Sequence, residues 1–173
     1  GWLRGDVDFH WLLVGNLAAL GELTDAELAA AESADQTVSG HLAGVQARAS
    51  VPTPAAKAWA FGQLTDPDAG HSSHMLVELA RGLWRAPERG LVRPFVGPYL
   101  EAIPRMSGWV GDDALTRLVR FGFPFVVEER TLELTDAALA RPDLPAGVRR
   151  AFVEWSWPVR EALASRRRWF GAD

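Results

Sequence analysis

Apolar residues recur at steps of three and four along almost the whole chain, and that spacing confines it to helices. Phe9, Leu12, Leu13, Leu17 and Leu20 form a first stripe, which Gly21 stops. Thr24 can cap a second helix, with Glu27 three residues on completing a capping box, and this Ala-rich helix runs to about Asp35. Val38, Leu42 and Val45 mark a third helix, ending before Pro52. Thr53 and Pro54 read as N-cap and N1 of a fourth, which carries Lys57, Trp59, Phe61 and Leu64 and stops near Asp66 to Asp68. Met75, Leu76, Leu79, Ala80 and Leu83 form the next stripe, and Leu91 to Ile103 another. Pro94 and Pro98 fall inside that last span and each deletes a backbone donor, so the helix is expected to begin near Pro94 or to kink there. Leu115, Leu118 and Val119 continue until Phe123-Pro124 breaks the pattern; a further helix covers 128–141. Pro145 opens the final one, with Val148, Phe152, Trp155, Val159 and Leu163 on one face and a bend expected at Pro158.

The one strand-like stretch, 123–127, has no partner of similar character and reads as a connector. The fold class is therefore all-α, with stacked antiparallel helix hairpins in a HEAT- or armadillo-like α-solenoid. At 173 residues the chain suits a single helical domain, 1–173. It lacks an initiator Met, and Gly1 reads either as a tag remnant or as the boundary of a piece cut from something larger.

Composition excludes several functions. The net charge is −4 and the pI about 5.6, without the basic excess of a nucleic-acid binder. No cysteine is present, which removes disulfide and thiolate chemistry and makes a cytoplasmic setting the natural expectation. No apolar run is long enough to span a bilayer, and no signal peptide or membrane partner is expected.

Chemistry-bearing residues are sparse. His71 and His74 lie one helical turn apart, a spacing that could place two imidazoles on one side of a metal. Ser72 and Ser73 lie between them and supply no activating carboxylate, H-E-x-x-H is absent, and the pair reads as surface histidines at a helix start. His10 and His41 have no such neighbour. Asp66, Asp68, Asp112 and Asp113 fall at helix boundaries, where carboxylates favour helix N-termini. Trp59 and Trp84 read as core, Trp109 and Trp157 as partly buried between helices. Arg166-Arg167-Arg168-Trp169-Phe170 reads as cations at a helix C-terminus with an aromatic pair folding back. No catalytic, cofactor-binding or metal residue is assigned.

Three segments together resemble actinobacterial aminopeptidases N of the M1 metallopeptidase family. Thr37-Val38-Ser39-Gly40, followed by Pro52-Thr53-Pro54-Ala55-Ala56-Lys57-Ala58-Trp59, is similar to the family's T-x-S-G and P-T-x-x-A-K-A-x-A-W stretches. Gly82-Leu83-Trp84-Arg85-Ala86-Pro87, leading to Pro94-Phe95-Val96, Tyr99 and Ile103-Pro104, resembles its G-F-W-Q-P segment with the later P-Y-V, Y-F and I-P positions. Phe123-Pro124, Thr131-Leu132, Leu144-Pro145, Arg149-Arg150 and Ala162-Leu163 match the end of its C-terminal helical domain, a domain type also found in endoplasmic-reticulum aminopeptidases. Ser72-Ser73, Pro98 and 155–158 depart from that pattern.

The resemblance implies the C-terminal part of a longer chain whose upstream catalytic domain holds the zinc, the H-E-x-x-H and the G-x-M-E-N motif. Its partners would be that upstream domain and peptide substrates, whose access to the active-site cleft it would control. This chain would hold no cofactor and be inactive alone. The alternative is a stand-alone α-solenoid interaction module. Were the chain the tail of an array, its first helix would pack inward through the leucine stripe and leave a bare apolar patch near Trp11 and Val14.

Overall fold

A computed structural model describes residues 6–86 and 89–171; Gly1 and Pro87, both named in the sequence patterns, lie outside the described residues. Nine α-helices and one 3-10 turn, with no strand, make up the described residues, as the all-α reading requires. The chain divides into two compact units, Gly1–Leu91 and Val92–Asp173.

Unit 1 contains α1 (Val7–Leu20), α2 (Asp25–Ala34), α3 (Val38–Ser50), α4 (Pro54–Thr65), a 3-10 turn (Pro67–Ala69) and α5 (Ser73–Trp84). The helix ends are written locally. Asp6 caps α1 by accepting from the Phe9 N–H, and Gly21 closes it in the left-handed region at φ 75°. Thr24 and Glu27 form the expected capping box. Thr37, Thr53 and Ser72 cap α3, α4 and α5, each accepting from the backbone N–H three residues on.

The face that each helix buries follows a different rule from the leucine count. α1 buries Trp11, Val14, Gly15, Ala18 and Ala19, while Leu12 (58% exposed), Leu13, Leu17 and Leu20 (65%) face outward. The expectation of a bare patch at Trp11 and Val14 is thus reversed. α3 likewise buries Gly40, Gly44, Ala47, Ala49 and Ser50, and leaves Val38 79% exposed. The reason is distance. α3 packs on α1 and most extensively on α5, and small side chains let two backbones approach where leucines would hold them apart. A Cβ on Gly82 of α5 would lie 2.4 Å from the Ala49 Cβ and 2.6 Å from the Gln46 carbonyl oxygen. At Gly40 it would lie 2.5 Å from the Asp35 carbonyl oxygen, because the loop from α2 crosses directly over α3. Asp35 stitches that loop in place: its carboxylate accepts from the Trp11 indole at 2.8 Å and from the Thr37 hydroxyl at 2.7 Å. The Thr37 bonds first, then the Trp11 bond, hold its pKa below the usual carboxylate value.

Unit 2 contains most of α6 (Arg89–Met106) together with α7 (Asp112–Phe121), α8 (Glu129–Leu139) and α9 (Ala146–Phe170). α9 packs on both α7 and α8. Its core joins Tyr99, Leu100, Ile103, Leu115, Leu118, Phe123 and Phe152, with Phe123 and Phe152 edge to face at 6.3 Å. The 123–127 connector is not a strand; it turns twice, through Val126 N–H to Pro124 O and Glu128 N–H to Val126 O, and buries Phe123, Pro124 and Val126.

α6 corrects one expectation. It starts at Arg89, ahead of Pro94, and runs through Pro94, Pro98 and Pro104. Pro94 and Pro98 are exposed, as is Gly90. The carbonyls that lose their partners to Pro94 and Pro98 therefore belong to solvent-facing residues, where water replaces the missing N–H. Pro158 in α9 obeys the same rule, four residues after exposed Glu154.

Gly82→Ala forces the α3–α5 contact apart and is expected to cost about 2 kcal/mol, or a melting-temperature drop of roughly 4–8 °C. Gly62→Ala, where an added Cβ meets nothing within 4 Å, is the matched control and is expected to raise the melting temperature by about 2–4 °C, since alanine is the better helix former by about 1 kcal/mol. Thermal circular dichroism of the two variants checks this.

Candidate functional site

The most chemically unusual group in unit 1 is an amine at its centre. Lys57 is the only lysine in the sequence; every other member of the 18 Lys and Arg residues is arginine. It lies in α4 on the buried row Lys57, Ala60, Leu64 and is 0% exposed. Its Nζ donates to three backbone carbonyls, Ala49 O at 2.7 Å, Gly82 O at 2.8 Å and Arg85 O at 2.9 Å. Those oxygens lie at the ends of α3 and α5, where the helix dipole is negative; Gly82 O also accepts from the Arg85 N–H at 3.2 Å. An ammonium has three donors in a compact tetrahedral head, one for each acceptor, whereas a planar guanidinium does not match them. Burial, and then the Arg85 charge, lower its pKa from the ordinary 10.5 to about 8, so it stays charged at neutral pH.

Arg85 extends this arrangement. Its carbonyl is held by Lys57 and its guanidinium donates to the Asn16 side chain on α1. Unit 2 uses a cation in the same way: the Arg149 guanidinium on α9 donates to Leu139 O and Arg141 O, at 2.7 Å for the latter, where α8 ends.

A groove of about 350 Å³ opens between α2, α3, α4 and α5, lined by Glu32, His41, Arg48, Trp59, Gln63, His71 and apolar side chains including Met75 and Leu79. The Arg48–Glu32 ion pair spans it at 2.9 Å. Trp59 is 36% exposed at this groove rather than in the core. The His71 Nε2 pairs with Gln63 Oε1 at 2.9 Å, while His74 is exposed on α5. His10 and His41 are exposed. Among the described residues no group of three or more His, Cys, Asp or Glu could hold a metal ion. Nor is any helix among them long and apolar enough to cross a membrane.

The remaining sequence-derived positions serve the helices. Asp66 caps the 3-10 turn by accepting from the Asp68 N–H, and Asp112 and Asp113 occupy the first turn of α7. Trp84 is half-buried and Trp109 37% exposed, but Trp157 is 61% exposed, since it sits on the outer side of α9. The Trp169 and Phe170 side chains do not fold back; they are 74% and 84% exposed. Arg166 instead donates to Val127 O and Arg167 pairs with Glu129. Periodicity places Lys57 in the right helix but does not disclose its role; its uniqueness among the basic residues, in register with Ala60 and Leu64, was the available signal.

Lys57→Met removes three hydrogen bonds and leaves the Ala49 and Arg85 carbonyls without this donor, while Gly82 O keeps the Arg85 N–H, each lost bond costing about 1–3 kcal/mol. Unit 1 is expected to lose at least about 3 kcal/mol in urea unfolding, and Lys57→Arg not to restore it. Between pH 8 and 10.5 the unfolded chain holds this proton and the folded chain does not, so the titration of Lys57 adds an increment of stability as pH rises across that window, and this increment is lost as pH falls through about 8. The stability difference between the unaltered chain and Lys57→Met is therefore larger at pH 10 than at pH 7, read from urea midpoints at both.

No family model matches the chain. It is similar to aminopeptidase N of Streptomyces lividans, with 29% identity over 165 residues. That alignment covers 95% of this chain and 19% of the relative's length. Lys57, Gly40, Gly82 and Arg149, all within the three motif segments, have architectural work in the structure: two cations on helix ends and two glycines at close backbone approaches. The resemblance those segments carry extends over nearly the whole chain, and it is a resemblance to aminopeptidase N.

Proposed function

We propose that this chain is the non-catalytic C-terminal helical domain of a longer zinc aminopeptidase of the M1 type, where it encloses the active-site cleft and limits entry to peptides. The observation that carries this reading is the alignment with aminopeptidase N, which takes in 95% of the chain but only 19% of the relative. His71 is paired with Gln63, and among the described residues no third His, Cys, Asp or Glu groups with it and His74. The zinc, the general base and the peptide-binding motif belong, in this proposal, to a separate upstream domain of the same polypeptide, in the cytoplasm. A cover of packed helices contributes by excluding water and bulky substrates when it closes.

The outward leucines of α1 support a larger assembly. Leu12, Leu13, Leu17 and Leu20 form a single exposed apolar helix face, and a groove of about 450 Å³ runs beside it between Leu13, Leu17, Leu23 and Ala30. Each element of a helical array buries surface against its neighbours, so in the longer protein this face is covered by an adjacent helix. The alternative, a stand-alone interaction module, draws on the groove at Trp59.

Three measurements test the proposal. The isolated chain is expected to leave amino-acid anilides intact with zinc present; hydrolysis abolished by a point substitution within these residues would overturn it. In the full-length protein, deleting this segment is expected to lower the preference for peptides over bulky substrates, and an unchanged size preference would remove the enclosing role. The isolated chain should also self-associate in light scattering, and Leu13→Ser with Leu17→Ser should reduce this.

A further inference from the structure

The Lys57 amine has a consequence beyond stability. It is the sole lysine, it has no exposed surface, and its three donors are all engaged by carbonyls from two different helix ends. An electrophile cannot reach it while the ends of α3 and α5 are closed on it. We propose that Lys57 is a conformation-gated acylation site, shielded in the closed unit 1, reactive toward acyl thioesters when the ends of α3 and α5 part, and unable to return to its carbonyls once acylated.

The chemistry balances with an acyl thioester as the co-reactant. The opened amine releases a proton to solvent, and its lone pair attacks the thioester carbonyl. The C–N bond forms as the C–S bond breaks, and the thiolate leaves and takes up a proton. The product amide has lost the positive charge and keeps one N–H where the ammonium had three. Gly82 O still accepts from the Arg85 N–H at 3.2 Å, but the one remaining N–H can serve only one of the Ala49 and Arg85 carbonyls, and the acyl group needs room where acceptors already stand 2.7–2.9 Å from the nitrogen. Buried carbonyls without donors are costly, so the modified chain is held open. This device does not depend on the proposed aminopeptidase role, and its test is independent of peptide hydrolysis.

The experiment uses the N-hydroxysuccinimide ester of acetic acid as the probe on the 173-residue chain, in buffer and in urea at the same pH. Mass spectrometry of the digested protein separates Lys57 from the α-amino group. Acetylation of Lys57 is expected to be slower in buffer than in urea by at least about a hundredfold, the factor set by local opening. Chain acetylated in urea is then returned to buffer beside chain taken through the same steps without reagent. The untreated chain should regain its cooperative helical unfolding, and the acetylated chain should not. Acetylation in buffer at the urea rate, or full recovery of cooperative unfolding by acetyl-Lys57 chain, would overturn the proposal.

Discussion

Three backbone carbonyls at the ends of two helices converge on one point, and one buried ammonium donates to all of them. Around Lys57 the arrangement of unit 1 becomes necessary. Ala49 ends α3, Gly82 and Arg85 end α5, and the amine on α4 holds the three oxygens within hydrogen-bond reach. That convergence requires the α3 and α5 backbones to approach closely, which is why Gly82 faces Ala49 and Gln46 with no space for a side chain. Arg85, fixed through its carbonyl, then reaches α1 with its guanidinium. One buried cation therefore links four helices, and it does so as a cap on unsatisfied helix ends rather than as half of an ion pair.

The second constraint is the preference for small residues at these contacts. Gly15, Ala18 and Ala19 on α1, and Gly40, Gly44 and Ala47 on α3, line the packed faces beside Trp11 and Val14, while Leu12, Leu13, Leu17, Leu20 and Val38 stand outside. Close approach gains dispersion contacts along whole backbones, and a helix that buries its small face keeps its large apolar face for another surface. Unit 2 is built differently. There large residues, Tyr99, Phe123 and Phe152 among them, fill the core, and Arg149 caps α8 from the neighbouring helix.

The motif segments that carry the likeness to aminopeptidase N coincide with these structural joints. Thr37 and Gly40 set the start of α3 beneath Asp35; Thr53, Pro54 and Lys57 start α4 and place its amine; Gly82 and Arg85 complete the joint. A sequence pattern that contains such joints specifies a helical scaffold.

The sequence by itself determined where several helices start and stop. Capping by Thr24 and Thr53, and termination at Gly21, involve groups within a few residues of one another, so local spacing suffices to read them. It also determined the absence of strands among the described residues, since no alternating segment had a partner. Tertiary structure decided which face of each helix is buried. Periodicity cannot say whether α1 packs through its leucines or its alanines, because that depends on how near the α3 backbone comes. The same holds for α6, which runs through Pro94 because the freed carbonyls face solvent, and for Lys57, whose three acceptors lie 8, 25 and 28 residues away along the chain and meet only once the helices have packed.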